Sequence, residues 1–464
     1  MIRSRYSKST SGTLQCTSTV DVSRFPPLLA PPRDRYDRGA QIRQRVRRAA
    51  HAVVRLAQRD PKDRLAILAT VNAGRVPALL PEKTRRMRIS PFAFFRGAAV
   101  LMAADLASGV RTGIRAQLCG DAHVRNLGAY AAPDGMLVFD LNDFDETIAG
   151  PWEWDVKRLA TSLILACEES GLSARVAEAS VRTFVATYRA HLSAFATLPF
   201  TKLARYFITR RPDEPVLRAI FADAQRTTPR RNLEKLTVER GRHFRFHDRR
   251  PVLEHVSDRQ AGEVLSGLDR YRATLTGGRR RTFERYSPVD VAFKIVGTGS
   301  IGTRDYVVLL FGNGVRDPLF IQVKQELASC YAPFLPKPRG GVHEGQRVSE
   351  GQQMMQTWSD PLLGYTRFGG QDYLVRQLAD HKAGLDPESL TRPTVMEYAA
   401  LCGEALAKGH ARTTDAALLA GYLGQSAKFD RALVEFAVTY ADQTKADYVA
   451  FVRSLRAGGR RHRP

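Results

Sequence analysis

Two short polar stretches hold the side chains of this 464-residue chain that are best suited to chemistry. The first is Cys119-Gly-Asp-Ala-His-Val-Arg-Asn126, after a strand-like run over 114–118. The second is Phe139-Asp-Leu-Asn-Asp-Phe-Asp-Glu146, closing another run over 136–141. Phosphoryl transfer needs a carboxylate that orients and deprotonates a hydroxyl, and oxygen ligands that hold Mg²⁺ on phosphates. Magnesium takes hard oxygen ligands, usually one or two carboxylates beside water and phosphate. Asp121 has the type and placement of the base. Asn126 can turn its amide oxygen to a metal, and Asp143 can add a carboxylate from the next strand end. Asp140, Asp143, Asp145 and Glu146 fall within seven residues. Packed together without a cation, they would raise one another's pKa. Strand alternation puts Asp143 and Asp145 on one face and Asp140 on the other. Asp143 is therefore the first expected metal ligand, Asp145 its helper and Asp140 a structural residue. Each of these residues alone also reads as a turn former; two polar clusters at neighbouring strand ends favour a site.

A third feature, Gly297-Thr-Gly-Ser-Ile-Gly302, is weak in isolation. A dinucleotide fingerprint needs a helix after the glycines, whereas here β-rich runs stand on both sides (AFKIV and YVVLLF). The pattern predicts a glycine hairpin lying over nucleotide phosphates, with Gly297, Gly299, Ser300 and Gly302 as binding positions; a plain glycine-rich hairpin is the alternative. The fourth feature is Phe320-Ile-Gln-Val-Lys324, a strand ending in a lysine that can pair with α- and β-phosphates. A helix over about 344–358 can hold that lysine in line through Glu350, or else Glu344. His123 is expected to orient the first loop and Asp155 to anchor it from below. Arg96 and His410 can reach phosphate or the loop.

Three classes of element must position these residues. Residues 1–40 read as an irregular basic tail, with Pro26, Pro27, Pro31 and Pro32 breaking any helix. Residues 41–290 read as the first part of a helical body; one helix starts at Ser90-Pro91, and Gly277–Arg281 (GGRRR) reads as a loop. Residues 291–378 are β-rich, residues 379–455 are helical again, and 456–464 form a second basic tail. The expected class is α+β.

Bulk composition narrows the rest. The hydrophobic fraction of 44% and charged fraction of 25% are ordinary for a globular protein. No apolar run approaches bilayer length, and no secretory signal is visible, so no membrane partner and a cytoplasmic location are expected. Five scattered cysteines without a CxxC pair fit neither a disulfide framework nor a zinc site. The net charge is +24, but thirteen of those charges fall in residues 1–50 and 451–464. Nucleic-acid binding is thus expected only through the tails.

The stretch GDAHVRN followed by LNDFDE is similar to the GDxHxxN and IDFxD motifs of aminoglycoside- and choline-kinase-like phosphotransferases. More closely, the chain resembles the bacterial family named for domain of unknown function 2252. RMRISPFAFFRGAA, CGDAHVRNLG, FDLNDFDETIAGPWEWDVKRLA, KIVGTGSIGTRDYVVLL, YLVRQLADHK and ALAKGHART carry the resemblance, over roughly residues 75–455. It implies a two-lobed protein-kinase-like fold, a mostly helical large lobe and a small antiparallel β lobe. It puts Asp121 at the catalytic position, Asn126 and Asp143 at the metal positions and Lys324 at the nucleotide lysine, with ATP and Mg²⁺ as cofactors. Ordinary kinases carry the glycine loop first; here the motif order is circularly permuted, and Cys119 stands where those phosphotransferases carry His. The expected function is phosphoryl transfer to a hydroxyl of a small molecule or protein. A nucleotide-binding pseudokinase, a nucleotidyl transferase and a basic nucleic-acid-associated protein are the alternatives.

Overall fold

The computed structural model describes residues 6–8, 14–16, 29–211, 213–240, 243–250, 252–295, 299, 301–337, 340–378, 382–386 and 390–461. It is a mixed α+β fold whose sheets are antiparallel. One helical core draws on both ends of the chain. Helices Glu153–Glu169 and Ala174–Phe195 come from the first half, and Arg392–Thr413 and Lys428–Arg461 from the second. Val181, Phe184 and Tyr188 bury against the same core as Tyr398, Cys402, Leu406 and Phe429. Each such side chain contributes about 1.5–3 kcal/mol by leaving water. A buried ion cluster joins the two ends of the chain: Arg64 bonds Asp105 at 2.9 Å and Asp447 at 2.6 Å, and Tyr440 donates to Asp105 at 2.7 Å.

Between these helical stretches runs a six-stranded sheet in the order Gly364–Phe368, Gln371–Gln377, Pro318–Gln325, Asp305–Phe311, Ser287–Lys294, Leu253–His255. Alternation along the strands splits their side chains between two cores. Ile321 and Val323 pack under helix Asp258–Tyr271, whereas Phe320, Val307 and Leu309 pack with Leu233 and Phe246 on the other face. The sheet and its packing helices therefore reach well before residue 291, and the sheet-bearing unit is larger than the 291–378 expected from β-rich runs alone. Helix Glu344–Met355 links the lysine strand to the last two strands.

Several local expectations change. Ser90 caps helix Pro91–Gly97 by accepting from the Ala93 amide at 3.0 Å, as its sequence predicts. GGRRR is helical: Gly277–Phe283 winds so that Phe283 meets Tyr271 edge-on at 5.1 Å. Pro32 opens helix Pro32–Arg45 rather than breaking one, since proline suits the first helical turn. That helix lies against Ala416–Leu423, where a Cβ on Gly39 or Gly421 would strike the other helix's backbone. Tyr6–Lys8 pairs with Leu14–Cys16, and the last helix runs to Arg461. Neither end is thus wholly irregular. Among the described residues no helix is long and apolar enough to cross a membrane.

Candidate active site

The first motif loop leaves strand Arg115–Leu118 and the second leaves strand Leu137–Leu141. They meet because Gly120 has φ +88° and no side chain. A Cβ there would run into the Glu146 backbone, and positive φ is open to glycine at little cost. Asp155, fully buried on helix Glu153–Glu169, accepts from the Cys119 amide at 2.8 Å and the Gly120 amide at 3.1 Å. His410 backs it, with Nε2 at 3.4 Å from Asp155 Oδ2 and Nδ1 at 2.7 Å from the Tyr188 hydroxyl. Burial beside Asp155 raises the Cys119 thiol well above its usual range, so it stays protonated.

Asp121 projects from this loop into a crevice of about 70 Å³ shared with Asn126, Asp143, Asp145 and Arg96. Its Oδ1 accepts from Arg158 Nε at 2.6 Å, and Nη2 lies at 2.5 Å. Arg158 is buried, stacks over Phe95 at 4.2 Å and donates to the Phe95 carbonyl at 3.1 Å. The other oxygen faces Gly299, where a Cβ would lie 3.9 Å from Oδ2. His123 Nδ1 accepts from the Arg125 amide at 3.2 Å, so the ring proton is on Nε2, 3.6 Å from Asp121 Oδ2. Burial, with Arg96 and Arg158 near, holds His123 neutral. Asn126 donates to the Asp121 carbonyl at 3.0 Å, which couples the two motif residues directly.

Behind the crevice wall Lys324, from the sheet, forms an ion pair with Asp145. Burial disfavours the Lys324 ammonium, but Asp145, Glu326 and Asp143 outweigh it and raise its pKa. Burial would likewise raise Asp145; Lys324 outweighs it and lowers the carboxyl. Asp143 lacks that partner and is raised, by burial first and then by Asp145. Asp145 Oδ1 is buried without a hydrogen-bond partner. Asp140 points away and pairs with Lys408; the strand ends at Leu141, so the loop, and not strand alternation, sets how Asp143 and Asp145 face.

Among the described residues no three His, Cys, Asp or Glu side chains are set to hold a metal ion, which argues against a closed all-protein site. Magnesium asks for less. Asp143, the unpartnered Asp145 Oδ1 and the Asn126 amide are hard oxygen donors lining one crevice, and they fit it.

Other expected residues go elsewhere. Glu350 is exposed and accepts from Gln346 at 2.7 Å, away from Lys324; its helix turns Val348, Gln352 and Met355 inward instead. Glu344 pairs with Arg347 at 2.5 Å. Gly302 faces the Arg75 side chain, and its carbonyl accepts from Val76 at 2.7 Å. Gly297 and Ser300 lie outside the described residues. Arg96 lines the crevice with a buried, unpartnered Nε. Burial and Arg125 lower it to about 10, against Asp121 and Asp143.

Three arginines that support the site escaped the sequence reading. Arg158 orients Asp121. Arg347 donates to the carbonyls of Thr147 at 2.5 Å, Asp145 at 2.9 Å and Leu327 at 2.9 Å, tying the acidic loop to the end of the lysine strand. Arg75 donates to the Ile301 carbonyl at 2.5 Å and pins the glycine turn. A second cavity, of about 270 Å³, includes Asn142, Gln322, Lys294, Arg376 and Lys382 in its walls. Lys382 donates to the Asn142 carbonyl at 3.3 Å, and Arg376 to Gln322 at 2.9 Å.

No curated protein and no solved structure matches the chain. Residues 75–454 match the family model described as an uncharacterized protein conserved in bacteria, DUF2252, and the chain belongs to that family.

Proposed function

We propose that the protein is an ATP- and magnesium-dependent phosphotransferase of the protein-kinase-like fold, in circularly permuted order, acting on a hydroxyl. The observation that carries this reading is the Lys324–Asp145 ion pair, which brings the lysine strand to the loop of Asp143 beside Asp121 and Asn126. The order of elements from residue 287 supports it. Strand, glycine turn, strand, lysine strand and helix follow one another as in a kinase small lobe, with the lysine on the third strand. Asn126, Asp143 and Asp145 would hold magnesium, which when bound neutralises charge on the phosphates. Asp121 Oδ2 faces the acceptor. The acceptor oxygen bonds to the γ-phosphorus as the bond to the β,γ-bridging oxygen breaks; ADP leaves, and the hydroxyl proton passes to Asp121. Arg158 keeps that carboxylate in place, and neutral His123 donates toward it.

One observation favours a second reading, nucleotidyl transfer. Lys294, Arg376 and Lys382 line the 270 Å³ cavity, and none of them forms an ion pair among the described residues. A base needs no cations, whereas a terminal phosphate does. If the triphosphate tail enters there, the α-phosphorus meets the acceptor, the bond to the α,β-bridging oxygen breaks and pyrophosphate leaves. Incubation with Mg·ATP labelled at the α- or γ-phosphorus separates the two. Label carried from γ alone is expected; label from α alone installs the second reading, and no binding at millimolar ATP removes both. Asp143→Ala should abolish the magnesium-dependent part of binding.

A further inference from the structure

The crevice opens beyond Asp121 into a much larger space. A cavity of about 700 Å³ lies on that side. Asp121, Arg75, Arg96, Glu146, Gly299 and Leu327 line both it and the crevice, so Asp121 stands where the two adjoin. The crevice takes little more than an ion and phosphate oxygens. The larger cavity is in the size range of sites that enclose a whole small molecule.

The walls select the chemistry of that molecule. Val71, Ala99, Val100, Ile148, Leu327 and Pro333 make them mostly apolar. The charged side chains that complete them are Arg75, Arg96 and Lys337, against Asp121 and Glu146. Both acids are engaged within the protein: Asp121 with Arg158, and Glu146 Oε2 with the Cys330 amide at 2.6 Å. Arg96 has a buried Nε without a hydrogen-bond partner. Lys83, only 3% exposed and also unpartnered at Nζ, lies beside Arg75 and outside the cavity wall; burial and Arg75 lower its ammonium to about 7, against Glu146, so it adds little charge near neutral pH. A ligand here meets an apolar surface set with Arg75, Arg96 and Lys337, one cation more than the two acids of the wall.

We propose that this cavity is the acceptor site and that it takes a small alcohol with an apolar body and an anionic head, of the hydroxy-carboxylate class. The assignment rests on Asp121 facing the acceptor hydroxyl, as in the function proposed above. An amino alcohol of equal size would bring like charge to Arg75, Arg96 and Lys337 and leave its own charge uncompensated.

Calorimetric titration of the full chain with ω-hydroxydodecanoate, ω-aminododecanol and Mg·ADP tests this. Two variants at exposed positions of the cavity wall accompany it, Ala328→Trp and Lys337→Glu. The expected result is binding of the hydroxy acid, at least about tenfold weaker binding of the amino alcohol, and a similar loss in both variants, which is about 1.4 kcal/mol or more. Mg·ADP should bind all three proteins alike. Equal binding of the two alcohols, or hydroxy-acid binding untouched by Ala328→Trp, overturns the assignment. Mg·ADP binding without the hydroxy acid removes the acceptor class and leaves the nucleotide site standing. Hydroxy-acid binding without Mg·ADP removes the cavity's role as an acceptor site.

Discussion

Lys324 and Asp145 are 179 positions apart in sequence, and their ion pair joins the sheet to the acidic loop at the edge of the crevice. The lysine side chain is 5% exposed and the aspartate 23%. Removing one partner of a mostly buried pair strands the other charge, which typically costs about 3–5 kcal/mol; the open side of Asp145 puts this case at the lower end. Lys324→Met and Asp145→Asn should each lower the urea midpoint, and the double variant should lose less than the sum. Additive losses would show that the pair carries no coupling.

Asp305 gives a pH-dependence of known sign. It is 4% exposed and accepts from Gln322 Nε2 at 3.0 and 2.8 Å. Burial raises its carboxyl from 3.8 to about 6, against Lys324 and Lys294. A raised acid binds its proton more tightly folded than unfolded. Its contribution therefore favours the fold below about pH 4 and is lost as pH rises toward 6. A displacement of that size is worth on the order of 3 kcal/mol. Asp305→Asn, which keeps an acceptor for Gln322, should raise stability at pH 7 and flatten the melting temperature between pH 4 and 6. An unchanged pH profile would refute this.

Gly120 is where the two motif loops touch. An added Cβ meets both an unfavourable φ of +88° and the Glu146 backbone. The conformational part alone costs about 1–2 kcal/mol, and the backbone contact adds to it. Gly120→Ala should therefore lower thermal stability and weaken Mg·ATP binding together, because it separates Asp121 from Asp143. Gly135, also at positive φ but in open space, is the control; Gly135→Ala should lower stability by the conformational part and leave binding intact.

The motifs were legible because each sits on a short, local pattern. A strand followed by a polar loop, or a lysine closing a strand, needs no knowledge of distant contacts. Two of the missed arginines, Arg158 and Arg347, belong to helices, where sequence shows that an arginine is present but not which face meets the site; the third, Arg75, sits in a bend whose distant contact with Ile301 no local pattern marks. Glu350 and Arg347 share one helix; the arginine reaches the acidic loop and the glutamate faces solvent. Arg158 lies in a helix with fifteen buried residues, among them Lys157 and Asp155, so no amphipathic pattern marks it. Gly277–Phe283 became helical through Phe283 finding Tyr271, a tertiary contact that glycine and arginine composition does not announce.

Asp155 sets how firmly Asp121 is held. Both of its oxygens accept backbone protons, from Cys119 and Gly120, in a fully buried position. Asparagine has the same shape but only one acceptor oxygen. In Asp155→Asn the amide NH₂ must face either an N–H group or His410, and one backbone donor is left unsatisfied whichever way the amide turns. A buried unsatisfied donor costs about 1–3 kcal/mol, so the isosteric variant should destabilise almost as much as Asp155→Ala. Hydrogen exchange gives the local readout: the Cys119 and Gly120 amides should exchange faster, while amides of helix Arg392–Thr413 keep the protection set by global unfolding. Transfer from ATP should fall in the same variant with little change in Mg·ADP affinity, since Asp143, Asp145 and Lys324 remain in place. If the two amides stay protected, or if the asparagine variant is as stable as the parent, Asp155 does not hold the loop.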